Sequence, residues 1–227
     1  MNGRERRRQK ASEQILEAAA EAIAEHGFHG MTMRALASAT GMALANFYNY
    51  FDSKEALLFE LNTRAFSALS TTMEAELRKS NDPAEQLYLF IANHVEYFVQ
   101  HTAVMRVLVH EAARLEAADK SAVRLIKDEY FNRLRTIVEQ IVQPGGVVDP
   151  RQIDRMTYCM FGMMNWVYAW YEPKLHGSSA DVARTIHDLA MSGMFASVSQ
   201  KAREISEELL DSSVLPSPLR RKEGPGT

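Results

Sequence analysis

Apolar residues in this chain fall at helical spacing, within long segments rich in Ala, Leu, Glu and Arg, and runs of β-branched residues are few. That pattern predicts an all-α fold of about nine helices. A first helix spans Ser12 to His26, with Ile15, Ala18, Ala19, Ala22 and Ile23 in one stripe and four glutamates off it. Gly27 stops it. Thr32 caps a second helix that runs to Ala39. Gly41 permits a tight turn, and a short third helix covers Ala43 to Asn49. Ser53 caps a fourth, which reaches Ser80 ahead of Asn81-Asp82-Pro83. Further helical patterns cover 84–100, 104–113, 120–143 and 150–171. Pro144-Gly145-Gly146 separates the last two. Residues 172–177 read as a loop, and Ser178 or Ser179 caps a final long helix over 180–210. The Pro/Ser/Gly-rich stretch 211–227 reads as a disordered tail.

Two segments depart from a plain amphipathic string. Between Ile15 and Leu58, two short helices lie either side of Ala39-Thr40-Gly41-Met42, and Phe47, Tyr48, Tyr50 and Phe51 crowd the second. This is the pattern of a helix-turn-helix, which sets one short helix in the major groove of DNA. The other segment, Met156–Tyr171, holds sixteen residues without a charge. It is slightly short for a membrane span and is bounded by Arg155 and Glu172. A helix apolar on all sides needs cover on all sides. It is therefore expected to pack on the core and offer another face to a partner subunit.

Composition narrows the compartment and the partners. Hydrophobic residues make up 46% of the 227, enough for a sizeable core. A lone Cys159 excludes an internal disulfide and fits the cytoplasm, where thiols stay reduced. The basic N-terminus is followed by no apolar run, so it does not read as a signal peptide. A net charge of −3 excludes a general nucleic-acid sponge. Residues 1–10 nevertheless set Arg4, Arg6, Arg7, Arg8 and Lys10 against Glu5 alone. Beside a helix-turn-helix, such an arm reads as a phosphate or minor-groove contact. The expected organisation is a basic arm at 1–11, a DNA-binding domain at 12–52, a ligand-binding and dimerisation domain at 53–210, and the tail.

Gly41–Leu58, GMALANFYNYFDSKEALL, resembles the helix-turn-helix core of the tetracycline-repressor (TetR) family. Ala18-Ala19, Gly27, Thr32, Leu36 and Ala37 fall where that family has comparable residues. The resemblance implies a homodimer that binds a palindromic double-stranded DNA operator, and a C-terminal domain that takes a small-molecule effector. It implies neither a cofactor nor a membrane. Thr32 and Tyr48 can give hydroxyl hydrogen bonds to phosphates, and Lys54 brings charge to the start of the fourth helix. Arg34 can reach a base edge or a phosphate. Leu44, Ala45, Asn46 and Asn49 are the candidates for base or backbone contact, because Asn pairs with adenine and Ala or Leu meets a thymine methyl. Phe47, Tyr50 and Phe51 are expected in the core. Ala43 stands where the family usually has a capping Ser or Thr, and Leu44 where a polar or basic residue is common.

The remaining chain carries no nucleophile–base pair and no His/Asp/Glu/Cys grouping of metal-ligand spacing, which argues against an enzyme. Cys159 is expected as buried packing. Met105, Met160, Met163, Met164, Trp166, Tyr168 and Trp170 are candidate lining for an adaptable apolar effector pocket. Asn165-Trp166-x-Tyr168-x-Trp170-Tyr171-Glu172-Pro173, followed by Ser178-Ser179-Ala180-Asp181, resembles a TetR subgroup tied to fatty-acid, steroid or other acyl-CoA catabolism. An acyl-CoA thioester is the effector that resemblance implies, with Arg106, Arg133 and Arg135 as phosphate partners. The alternative is a TetR-type repressor of drug efflux with a pocket for diverse hydrophobic drugs.

Overall fold

A computed structural model describes residues 2–110, 115, 117–143 and 148–194. Residues 111–113 of the expected 104–113 helix, Pro144-Gly145-Gly146, residues 195–210 of the expected last helix and the expected 211–227 tail lie outside the described residues. The described residues form helices and connecting turns, with no strand among them. No helix among them is long and apolar enough to cross a membrane.

The helices are α1 (Gly3–Gly30), α2 (Met33–Ala39), α3 (Leu44–Phe47), α4 (Lys54–Leu77), α5 (Pro83–Gln100) and α6 (Thr102–His110). They continue as α7 (Ala117–Val142), α8 (Pro150–Asn165), α9 (Val167–Trp170), α10 (Pro173–His176) and α11 (Ser179–Leu189). A π-helical turn, Ala190–Met194, follows. The caps are local chemistry. Thr32 Oγ1 accepts from the Ala35 N–H at 3.1 Å, and Ser53 Oγ from Ala56 at 3.0 Å. Ser178 and Asp181 form a reciprocal capping box at α11.

Three features differ from the sequence expectation. The basic arm is not a loose extension: α1 begins at Gly3, where Asn2 and Glu5 make a capping box. No apolar stripe marks residues 3–11, so hydrophobic periodicity does not reveal that turn of helix. The long uncharged helix breaks at Trp166, which ends α8 and starts α9. The expected loop at 172–177 contains a single helical turn, α10.

Two large cores share the long α4. The first joins Ile15 and Ile23 of α1, Leu36 of α2, Phe47 of α3 and Leu57, Leu58 and Leu61 of α4. Val107 of α6 is buried in that same cluster. The second surrounds α5, where Phe90, Ile91 and Val95 pack against Leu69 and Met73 of α4, Leu134 of α7, Met160 of α8 and Ile186 of α11. Between them, Ala65, Phe98, Met105 and Leu108 make a small third cluster.

Candidate DNA-reading surface and effector cavity

The turn between α2 and α3 is fixed by backbone bonds. Met42 N–H donates to Ala37 O at 2.8 Å and Thr40 N–H to Leu36 O at 3.0 Å. Gly41 takes φ 67°, the left-handed region that favours glycine. Phe47 and Phe51 are buried beneath α3 and Tyr50 is half-buried, as core packing requires. That burial leaves Ala45, Asn46, Tyr48 and Asn49 exposed on one surface. Asn49 Nδ2 donates to Asn46 Oδ1 at 3.3 Å, so the two amides hold one another. Ala43 caps α3 with extended backbone but no side-chain bond.

The other candidate DNA contacts are placed less uniformly. Thr32 and Arg34 are exposed at the start of α2. The Thr32 oxygen is occupied by the cap, which leaves its hydroxyl hydrogen to donate. Leu44 is half-buried against the head core, so only part of it faces outward. Lys54 turns inward: Nζ donates to Phe28 O at 3.4 Å and sits 4.6 Å from the centre of the Phe28 ring. Its charge ties α4 to the end of α1.

The seven side chains expected to line one pocket fall in several places. Met160 and Met164 are buried in the core around α5. They sit on the face of α8 that also carries Ile153, Met156 and Thr157. Met163, Trp166 and Trp170 line an apolar groove of about 700 Å³ between α8 and α11. Cys159 is exposed on this face, because it lies opposite the buried stripe of α8. Tyr168 shares a 2.7 Å hydrogen bond with His110 and borders a cleft beside Gly27 and Arg106.

Met105 alone of the seven lines a partly open cavity, of about 370 Å³, bordered by α4, α5, α6, α7 and α8. Its walls are chiefly aromatic: Phe66, Phe98, Phe131, Tyr158 and Phe161. This volume lies near the lower end of the range of about 300–1,000 Å³ usual for small-ligand sites. His94, Tyr130 and Asn165 supply polar groups, and Lys127 with Asp128 lies at the edge. His94 is 2% exposed, and burial lowers its pKa from 6.5 to about 3 despite a hydrogen bond to Asn165 that favours the charged form. It is neutral at physiological pH. Burial likewise raises the Tyr130 hydroxyl well above its ordinary range. Of the candidates the sequence offered, Met105 alone is found here; His94 falls at the apolar spacing of α5.

Arg133 and Arg135 do not stand free for a phosphate. Arg133 Nε lies 3.2 Å from Glu74, and Arg135 is held by Asp154 at 2.7 Å and Glu139 at 3.1 Å. Arg106 is exposed in the cleft beside α1.

Comparison with known proteins covers both halves. Residues 15–61 match the family described as bacterial regulatory proteins, tetR family, and residues 80–194 match the tetracyclin repressor-like C-terminal domain. The fatty acid metabolism regulator protein of Bacillus subtilis (strain 168) is 25% identical over 184 residues, which is 80% of this chain and 94% of that protein. The TetR family transcriptional regulator PfmR from Thermus thermophilus superposes with a TM-score of 0.70 at 29% identity, over 79% of this chain and 97% of that one. AibR, solved in complex with isovaleryl coenzyme A and operator DNA, superposes with a TM-score of 0.70 at 23% identity, over 79% and 97% of the two chains. With the family's head at 15–61 and its C-terminal domain at 80–194, this chain belongs to the TetR family and is a transcriptional regulator, not an enzyme.

Proposed function

We propose that this protein is a cytoplasmic homodimeric repressor that binds a palindromic operator and releases it when an acyl-CoA thioester occupies the α4–α8 cavity. The observation that carries the reading is the aromatic cavity walled by α6, whose Val107 is buried in the core of the DNA-reading head. The relatives favour this effector class. One is a regulator of fatty acid metabolism, and AibR, which shares the fold, holds isovaleryl coenzyme A beside operator DNA.

In this reading residues 12–52 contact DNA and residues 53–210 bind the effector and dimerise. Ala45, Asn46 and Asn49 meet base edges, while Thr32, Arg34 and Tyr48 meet phosphates. The helical arm of α1 carries five exposed cations toward the duplex backbone. The second copy covers the α8–α11 groove, where Trp166 is 59% exposed and Trp170 43%. The two reading heads must then lie about 34–36 Å apart to enter successive major grooves. An effector that prefers another spacing lowers DNA affinity by no more than its differential affinity for the two states. A pocket for cationic drugs fits less well. Asp128 pairs with Arg124 at 3.6 Å, and the other charge at the cavity edge is Lys127.

The test is a mobility shift on a palindromic operator with a series of acyl-CoAs, alongside light scattering for the dimer. Release of DNA by an acyl-CoA, but not by free coenzyme A, is the expected result. Tight acyl-CoA binding that leaves DNA affinity unchanged would refute the induction mechanism.

A further inference from the structure

The polar groups of the α4–α8 cavity form a chain with a direction. The Tyr130 hydroxyl meets His94 Nδ1 at 3.2 Å, and His94 Nε2 meets Asn165 Oδ1 at 3.2 Å. A neutral imidazole has one donor and one acceptor nitrogen. Because Oδ1 accepts, Nε2 donates, and Nδ1 therefore accepts from Tyr130. The His94 ring is fixed further by stacking on Phe98, centroids 4.1 Å apart.

This chain ends on Asn165. Its oxygen is engaged, while its Nδ2 carries two hydrogens and donates to no residue among those described. Asn165 lines the cavity, and the nearby phenylalanine walls offer it no acceptor. At the edge of the same cavity Lys127 Nζ stands 5.1 Å from the centre of the Phe66 ring, with no carboxylate partner among the described residues. Beside its tyrosine hydroxyls the cavity thus holds the Asn165 amide as an uncommitted donor, with Lys127 at the edge next to Asp128, whose carboxylate is paired with Arg124 at 3.6 Å. A ligand that fills it strips water from the Asn165 amide, so one lacking an acceptor there leaves a donor unpaired.

We propose that Asn165 is the specificity-determining residue of the effector site: its Nδ2 donates to the acyl carbonyl oxygen, His94 and Tyr130 hold that amide in orientation, and Lys127 meets the ligand's anionic portion. The proposal rests on the acyl-CoA reading above and names what distinguishes an acyl from an alkyl ligand. It requires a ligand with an apolar body, a carbonyl acceptor and a negative charge.

The test is calorimetric titration of the full chain with octanoyl-CoA and with S-octyl-CoA, a thioether that lacks only the carbonyl oxygen. The wild type is expected to bind octanoyl-CoA about tenfold more tightly, the loss that follows from one unpaired donor. Asn165→Leu should bring that ratio to about one. Lys127→Met should weaken both compounds by the same factor and keep the ratio, since it removes a partner common to both. Asn165→Leu leaves His94 Nε2 unpaired. If circular dichroism shows that it does not fold, the double variant His94→Phe/Asn165→Leu removes both partners and reads the same ratio. An undiminished ratio in a folded Asn165 variant, or no preference in the wild type, overturns the carbonyl assignment while the acyl-CoA reading stands. Failure of both compounds to bind the wild type overturns the acyl-CoA reading itself.

Discussion

Lowering the pH from 7.5 to 5 should weaken this fold, and His94 sets much of the loss. Its folded pKa is about 3, against 6.5 for an ordinary histidine, because burial disfavours the imidazolium. As pH falls through 6.5 the unfolded chain takes up a proton that the folded chain refuses. Stability is therefore full above that pH and declines as the pH falls toward about 3. At pH 5, about 1.5 units below the unfolded value and at about 1.4 kcal/mol per unit, the loss is about 2 kcal/mol. For a chain of this size that corresponds to a fall of about 4–8 °C in Tm.

The assay is urea unfolding of the ligand-free protein, followed by circular dichroism at both pH values and one protein concentration. The comparison is His94→Phe. That variant strands the Tyr130 hydroxyl and the Asn165 carbonyl, so it is less stable by about 1–3 kcal/mol at either pH. Its pH dependence, however, should be flatter than the wild type's by about 2 kcal/mol over this interval. All other side chains are common to the two proteins, so their contributions cancel in the difference. Identical pH dependences in the two proteins would mean that His94 is protonated in the folded state, and the neutral relay from Tyr130 to Asn165 would be wrong.

The DNA-reading head yields three further expectations. Gly41 has φ +67° and open space where a Cβ would lie, so Gly41→Val should cost about 1–2 kcal/mol from backbone strain alone, with Gly41→Asn costing less, by urea unfolding. Ala43 already has cap-like dihedrals, φ −64° and ψ 138°, so Ala43→Ser should gain about 1 kcal/mol in the same assay. On labelled operator, Asn46→Ala should cost about 1–3 kcal/mol and relax preference at one base pair, whereas Tyr48→Phe should weaken every sequence equally.

What the sequence made legible is what depends on neighbours along the chain. Thr32, Ser53 and Ser178 cap because a hydroxyl before a helical run reaches an amide two or three residues on. Phe47 and Phe51 are buried because α3 is too short to hide them anywhere but beneath itself. The cavity was not legible, because its lining depends on how five helices are rotated relative to one another. Met160 and Met105 look equivalent as letters, yet one faces the core around α5 and the other the cavity. Charge had the same limit: Arg135 reads as free until Asp154 arrives from α8. Cys159 sits in an apolar run whose outward face becomes visible only once α8 is laid on α5.

In the proposed mechanism, the placement of α6 couples the α4–α8 cavity to the reading surface through the head core. Met105 and Leu108 face the cavity, and between them Val107 is buried in the head core, where α6 meets α1 and α4. The nine-residue helix Thr102–His110 buries Met105 and Leu108 toward one side and Val107 toward the other, so a displacement of it is felt on both. Suppose a ligand shifts α6 and the head stays behind. A gap of about 50 Å³ opening at Val107 would cost about 1 kcal/mol at the usual penalty for buried voids. That is comparable to a typical coupling free energy of about 1–3 kcal/mol between two sites. Moving α1 with α6 avoids the void, and α1 carries α2 and α3 through Ile15, Leu36 and Phe47. In the proposed mechanism this shared packing makes displacement of the reading helix the lower-energy response to a filled cavity.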